Sequence, residues 1–559
     1  MRKPATQLLV LPLVLALALV LSACGSKSNS SSSSGGGGKE GGTINISQSG
    51  FPDYLDPAIS VTVTGNEPMN VVYTPLVTYA RAEGAAGTKI VPGMAQSVPT
   101  PTNGGKTYVF KLRPNLHYSD GTAVKASDFE HALKKALGGG GKNVLSGFSS
   151  FFEAIKGAKA YEGGKNSNAP IAGVKTDDKA GTITINLDQP RGDFLYVMAL
   201  NTVSLTPAAK SPFKNLTPNP PPGDGPYVIK NVKPGQSYDL VKNPKYDLPL
   251  PKGHVDVIHT KTIQSVQQQT QQVLSNALDY MEDPPDTQLL PQVRSQASDR
   301  FKPQPTISTY YLFLDVKQPP FNKLAARQAV NYAIDKTAIA RFYGGLFKIG
   351  CSFLPEGMIG HPTTPCPYGD PNQPPSPANI AKAKQLVKQS GTAGMSVKVW
   401  TDDNHPLDKI GTYYTDVLNQ IGYKAKVQII KKDVYFTTIG SAKTAPQTGV
   451  TDWFQDYPHP ADFFQLLNGK SIAPTNNSNY SNANDPKLNA GIEKLNAAPD
   501  LQAVAGDWAK LDNYAVNDQA FIAPFGQRQL ASFTSNRLDF SKVQFHPVFQ
   551  NDYLSFQLK

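Results

Sequence analysis

The sequence has only three cysteines and, beyond its first 23 residues, no long apolar run. A membrane-spanning helix needs about 18 or more apolar residues in succession, and no segment after residue 23 approaches that length. With so few cysteines, a fold stapled by many disulfides is also excluded. The sequence therefore predicts that most of the chain folds outside the membrane around hydrophobic cores.

The sequence also lacks any run of basic residues, although its formal net charge is +11. The positive residues are scattered, and no RNA-binding motif occurs. Because nucleic-acid binding requires clustered basic residues, we expect no nucleic-acid partner. A surface that faces an anionic cell envelope accounts better for the charge.

Motifs of common enzymes are absent or incomplete. There is no Gly-x-Ser-x-Gly elbow and no His-Glu-x-x-His pair, and the eight histidines are scattered. "GGKT" at 104–107 has Thr100 where a phosphate-binding loop needs its first glycine. "SPFK" at 211–214 has no Lys-Thr-Gly partner of the penicillin-binding enzymes. The sequence predicts a protein that is not an enzyme and has no metal or other cofactor, with a cell-surface hydrolase as the rival class.

The N-terminus has the organisation of an export signal. Arg2 and Lys3 precede an apolar run of about 14 residues, 8–21, which suits a signal peptide better than a membrane span. The run ends in "LSAC", which resembles the lipobox of bacterial lipoproteins. We therefore predict a signal peptide over 1–23 and a lipid attached to Cys24, or else an ordinary secretory signal with a chance cysteine.

Residues 24–38 are nearly all serine and glycine after Cys24, so they predict a flexible tether that reaches roughly 20 Å. The rest of the chain exceeds one ordinary core, and two or three lobes are expected. Cys351 and Cys366 lie in an exported, Pro/Gly-rich loop and predict one disulfide. Two free thiols, or a metal site with His361, are the alternatives.

Local patterns predict strands first and an α/β region later. Tyr108, Phe110 and Leu112 alternate along one strand, and "ASDFEHALKKALGGGG" predicts a helix with a capping box of Ser127 and Glu130. Further on, the patterns predict one helix over 321–345, a helix capped by Ser376 with Pro377 at its first position, and then a strand, a helix and a strand over 395–430. That order indicates a βαβ unit with parallel strands.

The stretch "DWFQDYPHPADFF" at 452–464 combines aromatic and acidic residues. Asp456, His459 and Asp462 could be metal ligands or an acid–base pair, but the prolines that flank His459 break the helix that would align them. Aromatic residues around Asp456 favour a cleft wall with a buried negative charge, which a ligand ammonium could neutralise. A purely structural Asp456, capping a turn or pairing with a lysine, stays open.

Seven segments, in order, resemble the extracytoplasmic solute-binding proteins of peptide-type ABC importers, the oligopeptide- and dipeptide-binding family. They run through nearly all of the chain after the tether, and the third, with its Leu-Arg-Pro and Asp-Gly-Thr, is specific. They are "YLDP" (54–57), "VYTPLVTY" (72–79), "KTYVFKLRPNLHYSDGTAVKASDF" (106–129), "GDGPYVIK" (223–230), "LVKNPKYD" (240–247), "PPFNKLAARQAVNYAIDK" (319–336) and "DWFQDYPHPADFF".

The resemblance implies an α/β fold of two lobes, like that of periplasmic binding proteins, with a two-strand hinge near 308–316 and 521–529 and an extra subdomain. The first lobe is then discontinuous. The implied divisions are lobe I at 39–75, 207–303 and 525–559, the extra subdomain at 76–206, and lobe II at 304–524.

The resemblance also implies the binding residues. Asp456 would hold a peptide's α-ammonium, and the backbone of Trp453 and Phe454 would extend the peptide like an added strand. The backbone around Val63 would face the ligand from the first lobe, and Tyr310 and Tyr311 would line the cleft beside the hinge.

Two positions depart from the family. His459 stands where many relatives have an acid, and Asp315 where an asparagine is common. The implied function is capture of peptides between two lobes and delivery to an ABC permease, by a monomer lipid-anchored on the outer face of the bacterial membrane. An oligosaccharide or another non-peptide solute, or a role in signalling, is the alternative.

Overall fold

The computed structural model describes residues 38–141, 144–163 and 169–559. The predicted signal peptide, the lipid attachment at Cys24 and almost all of the tether lie outside these residues. Residues 38–559 form one unit. None of the helices among the described residues is both long and apolar enough to span a membrane.

The strands are short and are distributed along the whole described chain. In chain order they are β1 (Thr43–Gln48), β2 (Val77–Tyr79), β3 (Ile90–Pro92), β4 (Thr107–Lys111), β5 (Val174–Asp177), β6 (Thr182–Asn186), β7 (Tyr227–Lys233), β8 (Ser237–Lys242), β9 (Val257–Thr262), β10 (Tyr280–Met281), β11 (Phe301–Pro305), β12 (Ser308–Leu314), β13 (Phe347–Ile349), β14 (Ser396–Asp402), β15 (Lys424–Ile430), β16 (Thr448–Phe454), β17 (Ile522–Phe533), β18 (Phe545–His546) and β19 (Gln550–Asn551).

The α-helices are concentrated in the C-terminal half of the chain. They are α1 (Val63–Val72), α2 (Ser127–Ala136), α3 (Ala158–Tyr161), α4 (Phe194–Val197), α5 (Val266–Leu274), α6 (Leu290–Gln296), α7 (Leu324–Ala333), α8 (Lys336–Phe342), α9 (Pro377–Gln389), α10 (Leu407–Ile421), α11 (Lys432–Ile439), α12 (Pro460–Phe464), α13 (Pro486–Asn496) and α14 (Ala505–Asn513).

The first lobe is built on a five-stranded sheet with the order β10-β1-β9-β8-β7. Its strands β1, β9 and β10 are parallel, whereas β7 and β8 are antiparallel neighbours. A separate sheet, β4-β6-β5, organises a subdomain with its own core. Tyr108, Phe110 and Leu112 are buried in that core, which confirms the predicted alternation.

The second lobe is built on a seven-stranded sheet with the order β11-β17-β12-β16-β14-β15, and β13 pairs with β17. Helices cover both faces: one core packs alternate residues of β12 against α7–α10, and another packs the intervening residues against α12–α14. The elements β14, α10 and β15 form the predicted βαβ unit, and the two strands are parallel in register.

Two connections join the lobes. Strand β11 continues into β12 through residues 306–307, and β17 pairs with β12 at one end and with β11 at the other. Phe533, at the far end of β17, packs in a first-lobe core with Val273 and Met281. These positions agree with the predicted two-strand hinge, and the lobe boundaries themselves stay a prediction.

Two local predictions were wrong. Ser127 does not cap α2: its hydroxyl donates to Asp178 Oδ2 at 2.9 Å, while Ala126 occupies the cap position. The helix predicted over 321–345 is two helices, α7 and α8, because Asp335 leaves the helical conformation and its carboxylate caps α8. Ser376 does cap α9, accepting from Asn379 N at 3.1 Å.

The two described cysteines are joined. A disulfide links Cys351 and Cys366, whose Cα atoms are 6.0 Å apart. It closes a loop on the second lobe beside β13 and β17.

Candidate functional site

A small pocket of about 100 Å³ lies between the lobes. The start of α1 and the chain around β19 form its first-lobe wall, the subdomain adds the segment 199–201, and the end of β16 forms the opposite wall. The lining residues of this interlobe pocket are Val61, Val63, Asn66, Glu67, Asn70, Tyr79, Phe148, Ala199, Leu200, Asn201, Phe454, Gln455, Asp456, Val548, Phe549 and Gln550.

Hydrogen bonds within the second lobe fix the position of Asp456. Gln455, which follows β16 directly, donates its backbone N–H to Ile307 O at 3.0 Å. The Asp462 carboxylate accepts from Asp456 N at 2.9 Å and from Trp453 Nε1 at 3.3 Å. Because Asp462 is held in the first turn of α12, it anchors the segment that carries Asp456.

His459 also serves this segment. It caps α12, and its Nδ1 accepts from Ala461 N at 3.1 Å. Burial lowers the pKa of His459 to about 4, so the ring is neutral at physiological pH. This nitrogen therefore has a structural role in starting the helix.

Asp456 carries a buried oxygen that no described residue satisfies. Its Oδ2 accepts no hydrogen bond from any residue in 38–141, 144–163 or 169–559. Burial raises the pKa of Asp456, and the Asp462 carboxyl partly offsets that rise. Burial and the Asp456 charge raise the pKa of Asp462 in turn. Two carboxyl groups so close together resist ionising both, unless a cation joins them.

The first-lobe wall is acidic as well. Glu67 on α1 accepts from Asn551 Nδ2 at 2.6 Å and from Tyr553 Oη at 3.2 Å. The Tyr553 hydroxyl also contacts Glu282, and burial raises the pKa of both glutamates. Since no lysine or arginine is among the residues that line the pocket, its chemistry suits a cationic group.

The strand edge beside the pocket is open. Strand β16 pairs with β12 along its whole length, as far as Ser308 opposite Phe454. On its other edge it pairs with β14 only at Thr448 and Gly449. No described strand covers that edge at Trp453 and Phe454, so an extended ligand can pair there.

The structure places half of the six predicted binding residues in the interlobe pocket. Val63, Phe454 and Asp456 all line the interlobe pocket. Trp453 does not: its ring packs at the α12–α14 core, and its backbone lies at the open edge.

Tyr310 and Tyr311 do not line this pocket either. Adjacent strand residues point to opposite faces, and the two rings are buried in different cores of the second lobe. Tyr310 is buried against Phe454, with ring centroids 6.1 Å apart, and Tyr311 is buried on the other face against Phe353. At most one of the two could face any single cleft wall.

The sequence did not predict most of the residues that line the pocket, including a glutamate and the glutamine that precedes Asp456. Glu67 and Gln455 line the pocket beside the predicted residues. Gln455 precedes Asp456 in the stretch that the sequence singles out, and Glu67 is the acidic residue of α1. For Glu67, the available signal was its helical spacing from Val63, since residues four apart on a helix share a face.

Hydrogen bonds among the described residues join the second lobe to the first lobe and to the subdomain. Gln455 Nε2 donates to Pro547 O at 2.6 Å, and Tyr457 Oη donates to Asp193 Oδ2 at 2.9 Å. Gly192 N donates to Asn496 O at 2.7 Å. A Cβ atom at Gly192 would lie 2.2 Å from a second-lobe carbonyl oxygen, so the close approach needs glycine.

Comparison with known proteins agrees with this architecture. The chain is similar to the probable D,D-dipeptide-binding periplasmic protein DdpA of Escherichia coli, with 24% identity over 494 residues that cover 86% of this chain and 87% of that protein. It is similar to the oligopeptide-binding protein OppA of Bacillus subtilis, with 25% identity over 494 residues and the same coverage of both chains.

Solved structures share the fold. Clavulanic acid biosynthesis oligopeptide binding protein 2 superimposes with a TM-score of 0.85 at 22% identity, over 93% of this chain and 96% of that one. The sequence profile of the bacterial extracellular solute-binding proteins, family 5 Middle, matches residues 89–474, which is more than half of the sequence. The chain belongs to this family of bacterial extracellular solute-binding proteins.

Proposed function

We propose that this protein captures peptides between its lobes and delivers them to the permease of an ABC importer. The family and the names of the relatives, which bind dipeptides and oligopeptides, support this proposal. The protein acts as a monomer, and it is not an enzyme. A lipid on Cys24 holds it on the outer face of the cell membrane, after removal of residues 1–23.

The observation that carries the proposal is the unsatisfied carboxylate oxygen of Asp456 in an acidic pocket. A peptide's α-ammonium supplies both the positive charge and the N–H donors that this oxygen needs. Its backbone then pairs with the open edge at Trp453 and Phe454, while Val63 contacts it from the first lobe. Backbone pairing binds peptides of mixed sequence, because it does not depend on their side chains.

Closure of the lobes is the mechanical step. A ligand favours the closed form only through contacts that are absent or weaker in the open form. A peptide between Asp456 and Val63 touches both lobes, so it stabilises closure about the connections at residues 306–307 and in β17. The permease then recognises the closed form. The division into lobe I (39–75, 207–303, 525–559), the subdomain (76–206) and lobe II (304–524) is part of this proposal.

One measurement tests the ligand class. Native mass spectrometry of protein purified without denaturation shows a ladder of peptide masses if the proposal is right. A single mass of a sugar or another non-peptide solute contradicts it.

Calorimetry with tri-alanine then tests Asp456. Asp456→Asn keeps the shape of the side chain but removes its charge, and we expect a loss of affinity of about 10- to 100-fold. Asp416→Asn on the exposed face of α10 is the matched control and leaves affinity unchanged. Equal affinity of the two variants would contradict the role of Asp456.

A further inference from the structure

Gln455 joins the two walls of the interlobe pocket through one side chain. Its Nε2 donates to Pro547 O in the first lobe at 2.6 Å, while its backbone N–H is bound to Ile307 O in the second. The carbonyl oxygen Pro547 O can only accept, so it requires the nitrogen end of the amide. The orientation of the Gln455 amide is thereby fixed.

The other end of the same amide is unsatisfied. Gln455 Oε1 is buried and accepts no hydrogen bond from the described part of the chain. The next residue, Asp456, has its own buried Oδ2 in the same condition, and both residues line the interlobe pocket. Buried acceptors without donors are rare and costly in folded proteins. Two of them on adjacent residues define a site for a group with at least two N–H donors.

We infer that Gln455 is a second acceptor for the ligand's primary ammonium and couples its capture to closure of the lobes. This inference rests on the proposed function and adds a specificity residue to it. A primary ammonium has three N–H groups, of which one meets Asp456 Oδ2 and another meets Gln455 Oε1. A donor at Oε1 holds the amide in the orientation that presents Nε2 to Pro547. The ligand therefore strengthens a hydrogen bond between the lobes that it does not itself make.

A different reading makes Gln455 only a strut between the lobes. In that case its replacement weakens every ligand by the same factor, whatever the substitution on the ligand nitrogen. If Gln455 contacts the ammonium, the loss depends on how many N–H groups the ligand offers. The two readings are separated by a double-mutant cycle between protein and ligand.

The experiment measures the affinity of wild-type protein and Gln455→Met for tri-alanine and for N,N-dimethyl-tri-alanine, which retains a single N–H on its charged nitrogen. In the wild type we expect dimethylation to reduce affinity on the order of tenfold or more. In Gln455→Met, tri-alanine binds more weakly by a similar factor, and dimethylation costs less than about threefold beyond that. Steric effects of the methyl groups occur in both proteins and cancel in the comparison.

Gln385→Met on the exposed face of α9 is the matched control and behaves as wild type. Gln455→Glu gives a second test, since it keeps an acceptor but loses the donor to Pro547. We expect its preference for tri-alanine over the dimethyl ligand to persist, while the ligand-induced decrease in radius of gyration by X-ray scattering becomes smaller. The unfolding midpoint of each variant is first compared with that of the wild type. If only one of Gln455→Met and Gln455→Glu folds normally, that variant alone still supports or refutes the role of Gln455.

The outcomes distinguish a failure of the inference about Gln455 from a failure of the proposed peptide function. If wild type binds tri-alanine and the methylation cost is the same in Gln455→Met, the peptide function stands and the role of Gln455 is refuted. If wild type binds no tri-alanine but binds the non-peptide amine putrescine, the peptide function fails. The same cycle with putrescine and its N,N,N′,N′-tetramethyl derivative, which keeps a single N–H on each charged nitrogen, then supports or refutes Gln455 as the ammonium acceptor.

Discussion

The hydrogen bond between Tyr457 and Asp193 is the interlobe contact whose removal is easiest to interpret. Tyr457 follows the ligand-binding stretch in the second lobe, yet its ring is buried in the core of the subdomain, 5.4 Å from the Phe151 ring. Its hydroxyl donates to Asp193 Oδ2 at 2.9 Å, and Arg191 holds the same carboxylate. Burial opposes the Asp193 charge, but Arg191 and Tyr457 stabilise it enough to lower its pKa.

Tyr457→Phe removes one oxygen and leaves the packing of the ring. A hydrogen bond to a charged group contributes about 1.5–3 kcal/mol. Because Asp193 keeps its pairing with Arg191, we take the lower end of this range. Because this bond joins the second lobe to the subdomain, opening of the lobes would break it, so we expect its loss to reduce the free energy of closure and not the stability of either lobe alone. If the free protein is mostly open, the affinity for tri-alanine falls by about tenfold.

Calorimetry with tri-alanine measures the effect, and urea unfolding monitors stability. Tyr435→Phe is the matched control, since its buried hydroxyl donates to Val450 O at 2.6 Å within the second lobe. We expect that variant to lose stability by about 1 kcal/mol and to keep its affinity. Wild-type affinity in Tyr457→Phe, or an equal loss of affinity in both variants, would refute the assignment of this bond to closure.

Two further predictions concern the charges. Burial raises the pKa of Asp456 to about 7 in the free protein, and an ammonium partner lowers it again. Affinity for tri-alanine should therefore fall as the pH drops below about 7, by up to tenfold per pH unit. Calorimetry between pH 5.5 and 7.5 checks this, and a flat profile would contradict an ionised Asp456 in the complex. Between the subdomain and the first lobe, Lys135 Nζ and Asp56 Oδ2 form a buried ion pair at 2.7 Å. We expect Lys135→Ala to lower the free energy of unfolding by about 3–5 kcal/mol, because it leaves the buried Asp56 carboxylate without its partner. The double variant with Asp56→Asn should recover part of this loss. If urea unfolding shows no recovery, the unpaired Asp56 charge is not the cause.

The sequence predicted those parts of the fold that depend on neighbours along the chain. The alternation of Tyr108, Phe110 and Leu112 and the cap at Ser376 are local, and both are present. The capping box at Ser127 failed because Asp178, far away in sequence, offers its hydroxyl a different acceptor. The division between α7 and α8 could have been read from Asp335, since aspartate favours the cap position over the middle of a helix.

The site could be predicted only in part. Resemblance pointed to Asp456, Phe454 and Val63, which line one pocket although Val63 lies far from the other two in sequence. Tyr310 and Tyr311 do not line that pocket, and the period of a strand places these adjacent residues on opposite faces of the sheet. Glu67 and Gln455 lie in different lobes, and they line one pocket only because the fold brings the lobes together. No local pattern reveals that Gln455 reaches Pro547.

The interlobe pocket also explains why a cation suits closure better than a neutral solute does. Glu67 from the first lobe and Asp456 from the second bring carboxyl groups to the same small space, and burial raises the pKa of each. Closing the lobes over a neutral ligand leaves these carboxyl groups to take up protons or to repel one another. An ammonium between the walls satisfies Asp456 Oδ2 and stabilises the ionised form of its neighbours. Under the proposed function, closure and selectivity for a positive group therefore have one physical cause. It is the cost of burying these acidic groups, since Asp456 Oδ2 has no donor in the described part of the chain.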